Sequence, residues 1–167
     1  MTHSGGNAPW VGPGADDNPI SSHQIERYLA EASRASIKII SVDTYSTGLA
    51  ITIEANAMSE KGDAGEELRE GMASDEDPAP SALRFRVRLS DESTASTLDH
   101  VADSTTEPTQ PCLSTLGGPG FKIDGPRLDT RQTMWLWPRP TGKFEVTAEW
   151  PWFGIPSASL EVGPFEG

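Results

Sequence analysis

Three arginines at alternate positions are the residues whose type and spacing best suit chemistry. Arg84, Arg86 and Arg88 are separated by single apolar residues. Because successive side chains of a β-strand point to opposite faces, the three guanidinium groups are predicted to share one face of a strand. Such a face either binds an anion or a carboxylate, or is a solvated sheet face opposite glutamates such as Glu54, Glu145 or Glu149.

A second candidate contact is a pair of aromatic residues in a turn. Trp152 and Phe153 follow a strand pattern that ends at Trp150, and Pro151 lacks the backbone donor needed to continue the pairing. Rings in such a turn either plug the open end of a β-sandwich or project outward into a contact surface. With the three arginines, they make up the predicted contact surface.

No residue is predicted to be catalytic, to bind a cofactor or to ligate a metal. The three histidines (His3, His23 and His100) are far apart, and Cys112 is the only cysteine, so the paired ligand spacing of a zinc site is missing. The Gly-x-Ser-x-Gly turn of serine hydrolases is also missing. The expectation is a protein without enzymatic activity and without a cofactor.

The charge distribution narrows the choice of partners. The formal net charge is −12, and eight acidic residues lie between Glu60 and Asp77. A negative field repels phosphates, so nucleic acid is not an expected partner. No apolar run approaches the roughly 20 residues that span a membrane. The absence of a signal-peptide pattern and the single cysteine predict a cytoplasmic protein.

Most of the remaining pattern predicts β-strands. Apolar and polar residues alternate, or β-branched and aromatic residues run together, over 37–42, 49–55, 83–89, 134–137, 144–150 and 158–162. The apolar phase slips between Ile39 and Ile40, which indicates a bulge or a strand buried on both faces. Short strands separated by turns predict a mainly β fold, a single antiparallel β-sandwich of the immunoglobulin-like kind. A small open β-barrel is the alternative.

One segment has helical spacing instead. Ser21 and Gln24 are spaced like a capping box. The apolar residues that follow recur at i, i+3, i+4 and i+7, namely Ile25, Tyr28, Leu29 and Ala32. They predict one short amphipathic helix over about 22–34.

The chain is predicted to contain one domain. Residues 1–20, rich in Gly, Pro, Asn and Asp, are expected to be a flexible arm. The domain then covers 21–163 and is followed by a tail at 164–167. Within it, 57–81 has too few apolar side chains to offset the entropy of ordering, and is predicted to be a mobile acidic loop.

Several short motifs occur in a fixed order along the chain. They are Tyr45-Ser46-Thr47-Gly48, Leu83-Arg84-Phe85, Trp135-Leu136-Trp137-Pro138 and Glu149-Trp150-Pro151. In these motifs the chain resembles a group of actinobacterial proteins with a Tyr-x-Thr-Gly turn, an aromatic strand ending in Trp-Pro and a C-terminal Glu-Trp-Pro. The resemblance covers roughly 36–163 without the acidic segment. It implies a single ordered domain, carries no known activity, and implies a strand where 22–34 has helical spacing.

These observations predict a non-enzymatic module for protein interaction or assembly. Its partner would be another protein, or a second copy of the chain in a homo-oligomer. The alternative is a β-sandwich domain that binds a small ligand or a carbohydrate through the turn aromatics. A flat apolar patch would favour the first function, and a pocket lined by Trp152 and Phe153 would favour the second.

Overall fold

The strands of the fold follow the alternation of apolar and polar residues. The computed structural model describes residues 8–14, 16–59, 83–97 and 107–165, the side chains of 117–121 and 152 excepted. This part of the chain forms nine strands and one 3-10 helix. They are β1 (Ser21–Glu31), β2 (Ala35–Thr44), β3 (Leu49–Met58), β4 (Arg84–Arg88), β5 (Thr94–Ser96), β6 (Cys112–Asp124), β7 (Arg127–Trp137), β8 (Phe144–Trp150), the 3-10 helix (Pro151–Phe153) and β9 (Ile155–Val162).

The strands form two antiparallel sheets that do not close into a barrel. The first sheet has the order β1-β2-β3-β7-β6 and the second the order β5-β4-β8-β9. Without β1, the first sheet has the order A-B-E-D of an immunoglobulin-type sandwich. The second has the order C-F-G with one strand added beside C. The predicted sandwich is therefore confirmed, with β1 as an extra strand at the edge of the first sheet.

One hydrophobic core lies between the sheets. Buried side chains alternate along β3, β4 and β8, as the sequence pattern predicts for 49–55, 83–89 and 144–150. The first sheet contributes Ile37, Ile51 and Ile53, and the second contributes Phe85 and Val146, all at most 2% exposed. The phase slip in β2 is a bulge, because its register with β3 shifts between Ile39 and Ser41.

The predicted helix over 22–34 is wrong, because this segment is strand β1. Its register with β2 shifts between Gln24 and Arg27 and again between Tyr28 and Ala30. Each shift places one extra residue in β1, which changes the face that the following side chains occupy. Ile25 and Leu29 both face the core, and a spacing of four residues fits one face of a strand as well as one face of a helix.

The described residues include parts of the predicted arm, the predicted loop and the predicted tail. Pro9 and Trp10 of the predicted arm lie on the outer face of the first sheet, where Trp135 Nε1 donates a hydrogen bond to the carbonyl of Pro9 and Trp10 packs against Trp137. β3 extends to Met58, so ordered chain enters the range predicted as a mobile loop. Residues 60–81, the rest of that loop, lie outside the described residues. In the predicted tail, the ring of Phe165 contacts Phe144, with centroids 5.9 Å apart.

Candidate contact surface

Strand β4 places the three arginines on the outer face of the second sheet. Phe85 and Val87 point into the core, so Arg84, Arg86 and Arg88 must point outward. β4 is an inner strand of its sheet, flanked by β5 and β8. The arginines therefore lie near the middle of an open sheet face, as the alternation predicts.

Two of the three arginines form ion pairs across the sheet. Arg84 faces Glu149 and Arg88 faces Glu145 in the register of β4 with β8. Arg84 Nε lies 2.6 Å from Glu149 Oε1, but the oxygen is out of line with the N–H, so the contact is an ion pair without a well-directed hydrogen bond. Arg88 Nη2 lies 3.5 Å from Glu145 Oε2. For these two arginines the structure therefore agrees with the second alternative, a solvated sheet face on which arginines pair with glutamates.

Arg86 differs from its two neighbours. It is exposed, and no carboxylate of the described residues forms an ion pair with it. Its neighbours in the sheet are Ser96 on β5 and Thr147 on β8, which carry hydroxyl groups. A cleft of 50 Å³ lies beside Arg86, between these residues. On the same measure of volume one water molecule needs about 10–15 Å³, so the cleft has room for a small polar group such as a carboxylate. The Glu149 carboxylate, paired with Arg84, also lines this cleft.

The predicted contact surface is wrong for Phe153. Its side chain is 1% exposed and packs edge-on against Trp150, with ring centroids 4.6 Å apart. The Arg34 guanidinium covers it, 5.3 Å from the ring centroid. The short 3-10 helix carries the chain over the end of the sandwich and turns this ring inward, so Phe153 plugs the core. The side chain of Trp152 lies outside the described residues.

Sequence reasoning missed the two hydroxyl residues beside Arg86. Thr147 could have been found, since the alternation of β8 places it on the same face as Glu145 and Glu149. Its Oγ1 lies 2.8 Å from Ser159 Oγ, within hydrogen-bond distance. Ser96 could not, because β5 has only three residues and carries no recognisable strand pattern.

Two larger clefts lie elsewhere on the described surface. One of 360 Å³ lies between β1 and the end of β9, with His23, Arg27 and Phe165 in its lining. The His23 and Phe165 rings contact each other there, with centroids 5.0 Å apart. The other, of 290 Å³, lies at the end of the first sheet beside Arg34 and Arg127. Neither cleft includes Phe153.

Among residues 8–14, 16–59, 83–97 and 107–165, no three His, Cys, Asp or Glu side chains lie close enough together to hold a metal ion. The described chain also contains no helix long and apolar enough to cross a membrane.

No protein-family model, curated protein or solved structure matches the chain.

Proposed function

We propose that the chain is a non-enzymatic interaction module that binds a carboxylate-bearing segment of another protein on the outer face of the second sheet. The observation that carries the proposal is Arg86, an exposed guanidinium between two ion-paired arginines, beside a cleft of carboxylate size. The lone buried thiol of Cys112 suits a reducing compartment, and the proposed setting is the cytoplasm.

The arrangement favours one carboxylate at one position. A guanidinium presents a planar fork of donors that matches both oxygens of a carboxylate. Glu145 and Glu149 already occupy the flanking arginines, and their negative charge repels an acidic side chain that binds out of register. Because an exposed charge pair contributes only about 0–1 kcal/mol, the remaining affinity must come from adjacent contacts on the same sheet face.

A charge-matched pair of variants tests this proposal. Arg86→Gln removes the free guanidinium, and Arg131→Gln makes the same chemical change on the opposite outer face, where Arg131 pairs with Glu54 at 3.0 Å. With hexaglutamate as probe and amide chemical shifts as readout, we expect Arg86→Gln to weaken binding about fivefold, which corresponds to ~1 kcal/mol. Arg131→Gln should bind like the parent.

The same variants then test whether the partner is a protein. Proteins retained from cell extract by the parent and by Arg131→Gln, but lost with Arg86→Gln, would support the proposal. Equal retention by all three proteins would show that the partner docks elsewhere. Retention of the chain's own untagged copy would identify the partner as a second copy.

The cleft between β1 and β9 favours a second candidate function, the binding of a small ligand. Its 360 Å³ falls at the lower end of the range of ligand pockets. The apolar ring of Phe165 lies beside His23. Arg27 has no ion-pair partner among the described residues, so an aromatic carboxylate would suit this cleft.

This second candidate is tested by titrating the protein with benzoate and indole-3-acetate. Binding should shift the amide signals of His23 and Val162 and be lost in Arg27→Gln, while Arg86→Gln retains it. Unchanged signals at millimolar ligand would exclude this class of ligand at the cleft.

A further inference from the structure

Trp135 is buried although it points away from the core. It lies on β7 between Met134 and Leu136, both of which are also fully buried. On the outer face of the first sheet, Tyr45 packs edge-on against the ring of Trp135, with centroids 5.4 Å apart. Gly48, which has no side chain, leaves the space that the indole fills. We call Tyr45, Gly48, Trp135 and Trp137 the aromatic groove.

Pro9 and Trp10 of the N-terminal segment 8–14 contact this groove. Trp135 Nε1 donates a hydrogen bond of 2.8 Å to the carbonyl of Pro9. The ring of Trp10 packs edge-on against Trp137, with centroids 6.0 Å apart. The carbonyl of Pro9 and the indole of Trp10 thus contact two different tryptophans. The groove therefore binds both a backbone group and a side chain of the segment.

A tight turn gives the segment its shape. The amide of Val11 donates to the carbonyl of Ala8 at 2.9 Å, and the amide of Gly12 donates to the same carbonyl at 3.3 Å. Proline suits the second position of such a turn because its φ is fixed near the required value. The bound ligand is therefore a turn with a Pro-Trp pair at its centre.

The indole N–H of Trp135 needs a hydrogen-bond acceptor that the first sheet does not supply. A buried indole N–H without a hydrogen-bond partner is unfavourable, and Trp135 is 0% exposed. The segment that supplies the acceptor is joined to β1 through 12–19, a stretch rich in Gly, Pro, Asn and Asp. Backbone pairing with the sheet resumes only where the amide of Ile20 donates to Thr44. The segment is thus attached to the sandwich by its contacts with Trp135 and Trp137 and, further along the chain, by the hydrogen bond of Ile20.

We propose that the aromatic groove is a peptide-binding site for a Pro-Trp turn, filled by the chain's own arm and opened to a partner protein that carries a turn of the same chemistry. Aromatic-lined grooves are a recurring way to bind proline-rich segments, which are extended in the known cases and form a turn here. This surface lies on the sheet opposite to Arg86, so the proposal does not rest on the proposed function of the arginine face.

A partner must compete for the groove with the arm, which belongs to the same chain. A segment joined to its site by a short linker competes at an effective concentration of the order of millimolar. A free peptide of the same sequence should therefore bind weakly to the wild-type chain. It should bind at least about tenfold more tightly once the arm has lost its own tryptophan.

The experiment uses the full chain with Trp10→Ala, which leaves every groove residue in place. The probe is a synthetic peptide with the sequence of residues 8–14, Ala-Pro-Trp-Val-Gly-Pro-Gly. The indole N–H signal of Trp135 reports groove occupancy by NMR. We expect the signal to move in Trp10→Ala and to return to its wild-type position as the peptide binds. The same peptide with its tryptophan replaced by alanine is the control and should leave the signal unmoved.

Three results would overturn the proposal. The first is a Trp135 signal that does not move in Trp10→Ala, and the second is a signal that the peptide does not restore. The third is a wild-type chain that forms dimers by exchanging arms, which would assign the groove to a second copy. If Trp10→Ala does not fold, Trp10→Leu keeps an apolar side chain and gives the same tests.

Discussion

At the scale of single residues, Gly48 lies where a side chain would collide with Trp135. A Cβ atom there would lie 2.6 Å from the carbonyl oxygen of Leu136 and 2.6 Å from Cζ2 of Trp135. The first of these is a backbone atom, which cannot move without disturbing β7. Replacing this glycine therefore forces the sheet to shift.

We expect Gly48→Ala to lower the free energy of unfolding by about 1–3 kcal/mol, as measured by urea denaturation. Gly142→Ala is the matched control. The nearest side-chain atom to its added Cβ would be Ser90 Oγ at 3.6 Å, and the expected change is within about 0.5 kcal/mol. Equal effects at the two glycines would contradict the packing of Trp135 on Gly48.

Tyr45, in the same groove, should make stability depend on pH. Burial raises the pKa of Tyr45, and the nearby carboxylates of Asp43 and Asp17 raise this pKa further. A folded-state pKa above the unfolded value of about 10 means that the folded chain holds the proton more tightly. The resulting stabilisation is complete below pH ~10 and is lost as the pH rises through the folded-state pKa.

We therefore expect Tyr45→Phe to lose less stability than the parent between pH 9 and pH 11. Thermal unfolding at a series of pH values measures this. The two proteins should lose stability in parallel below pH 9, where the phenol is protonated in both the folded and the unfolded state. Parallel curves over the whole range would show that Tyr45 is more exposed than described.

At the scale of elements, alternation predicts a strand most clearly where the strand itself contains no extra residue. Buried and exposed side chains alternate along β3, β4 and β8, and the sequence predicts all three. β1 has two bulges, so its core-facing residues lose the period of two. The information that distinguishes it from a helix is its pairing with β2, which no local pattern contains.

The candidate contact surface, too, is predicted only in part by the sequence. The common face of the three arginines is a property of one strand, and the sequence predicts it. Their partners are set by the register of β4 with β8, which brings Glu145 and Glu149 opposite Arg88 and Arg84. The inward turn of Phe153 depends on the 3-10 helix after β8, and the sequence leaves both its orientations open.

The first bulge of β1 gives an element-scale prediction. Glu26 has a φ of 48°, a left-handed conformation that strains a residue with a Cβ atom. Glycine adopts this conformation freely but makes the unfolded chain more disordered. We expect Glu26→Gly to raise the free energy of unfolding by up to about 1 kcal/mol.

Glu31→Gly is the control, because Glu31 is also exposed and lies at the end of β1, where its pairing with Ser36 is regular. There, glycine should destabilise the strand by roughly 0.5–1 kcal/mol. Chemical denaturation of both variants gives the comparison. A loss of stability in Glu26→Gly as large as in Glu31→Gly would mean that the bulge is not formed.

At the scale of the whole molecule, the two proposed binding surfaces lie on opposite outer faces of one sandwich. The arginine face belongs to β4 and β8, and the aromatic groove belongs to β7 and the turn before β3. Both sheets contribute to the same core, so each surface is supported from behind by the other sheet. Two partners could therefore bind at once without sharing a residue.

The shared core also predicts how the molecule unfolds. β3 and β7 are paired on both sides in the first sheet, and β8 is paired on both sides in the second. Their amides should be the slowest to exchange with solvent, and β3 and β8 should report the same opening free energy because neither sheet keeps a core without the other. Native-state hydrogen exchange measures this, with the edge strands β1 and β9 as the faster-exchanging controls. Opening free energies for β3 and β8 that differ by more than about 1 kcal/mol would mean that the sheets unfold separately.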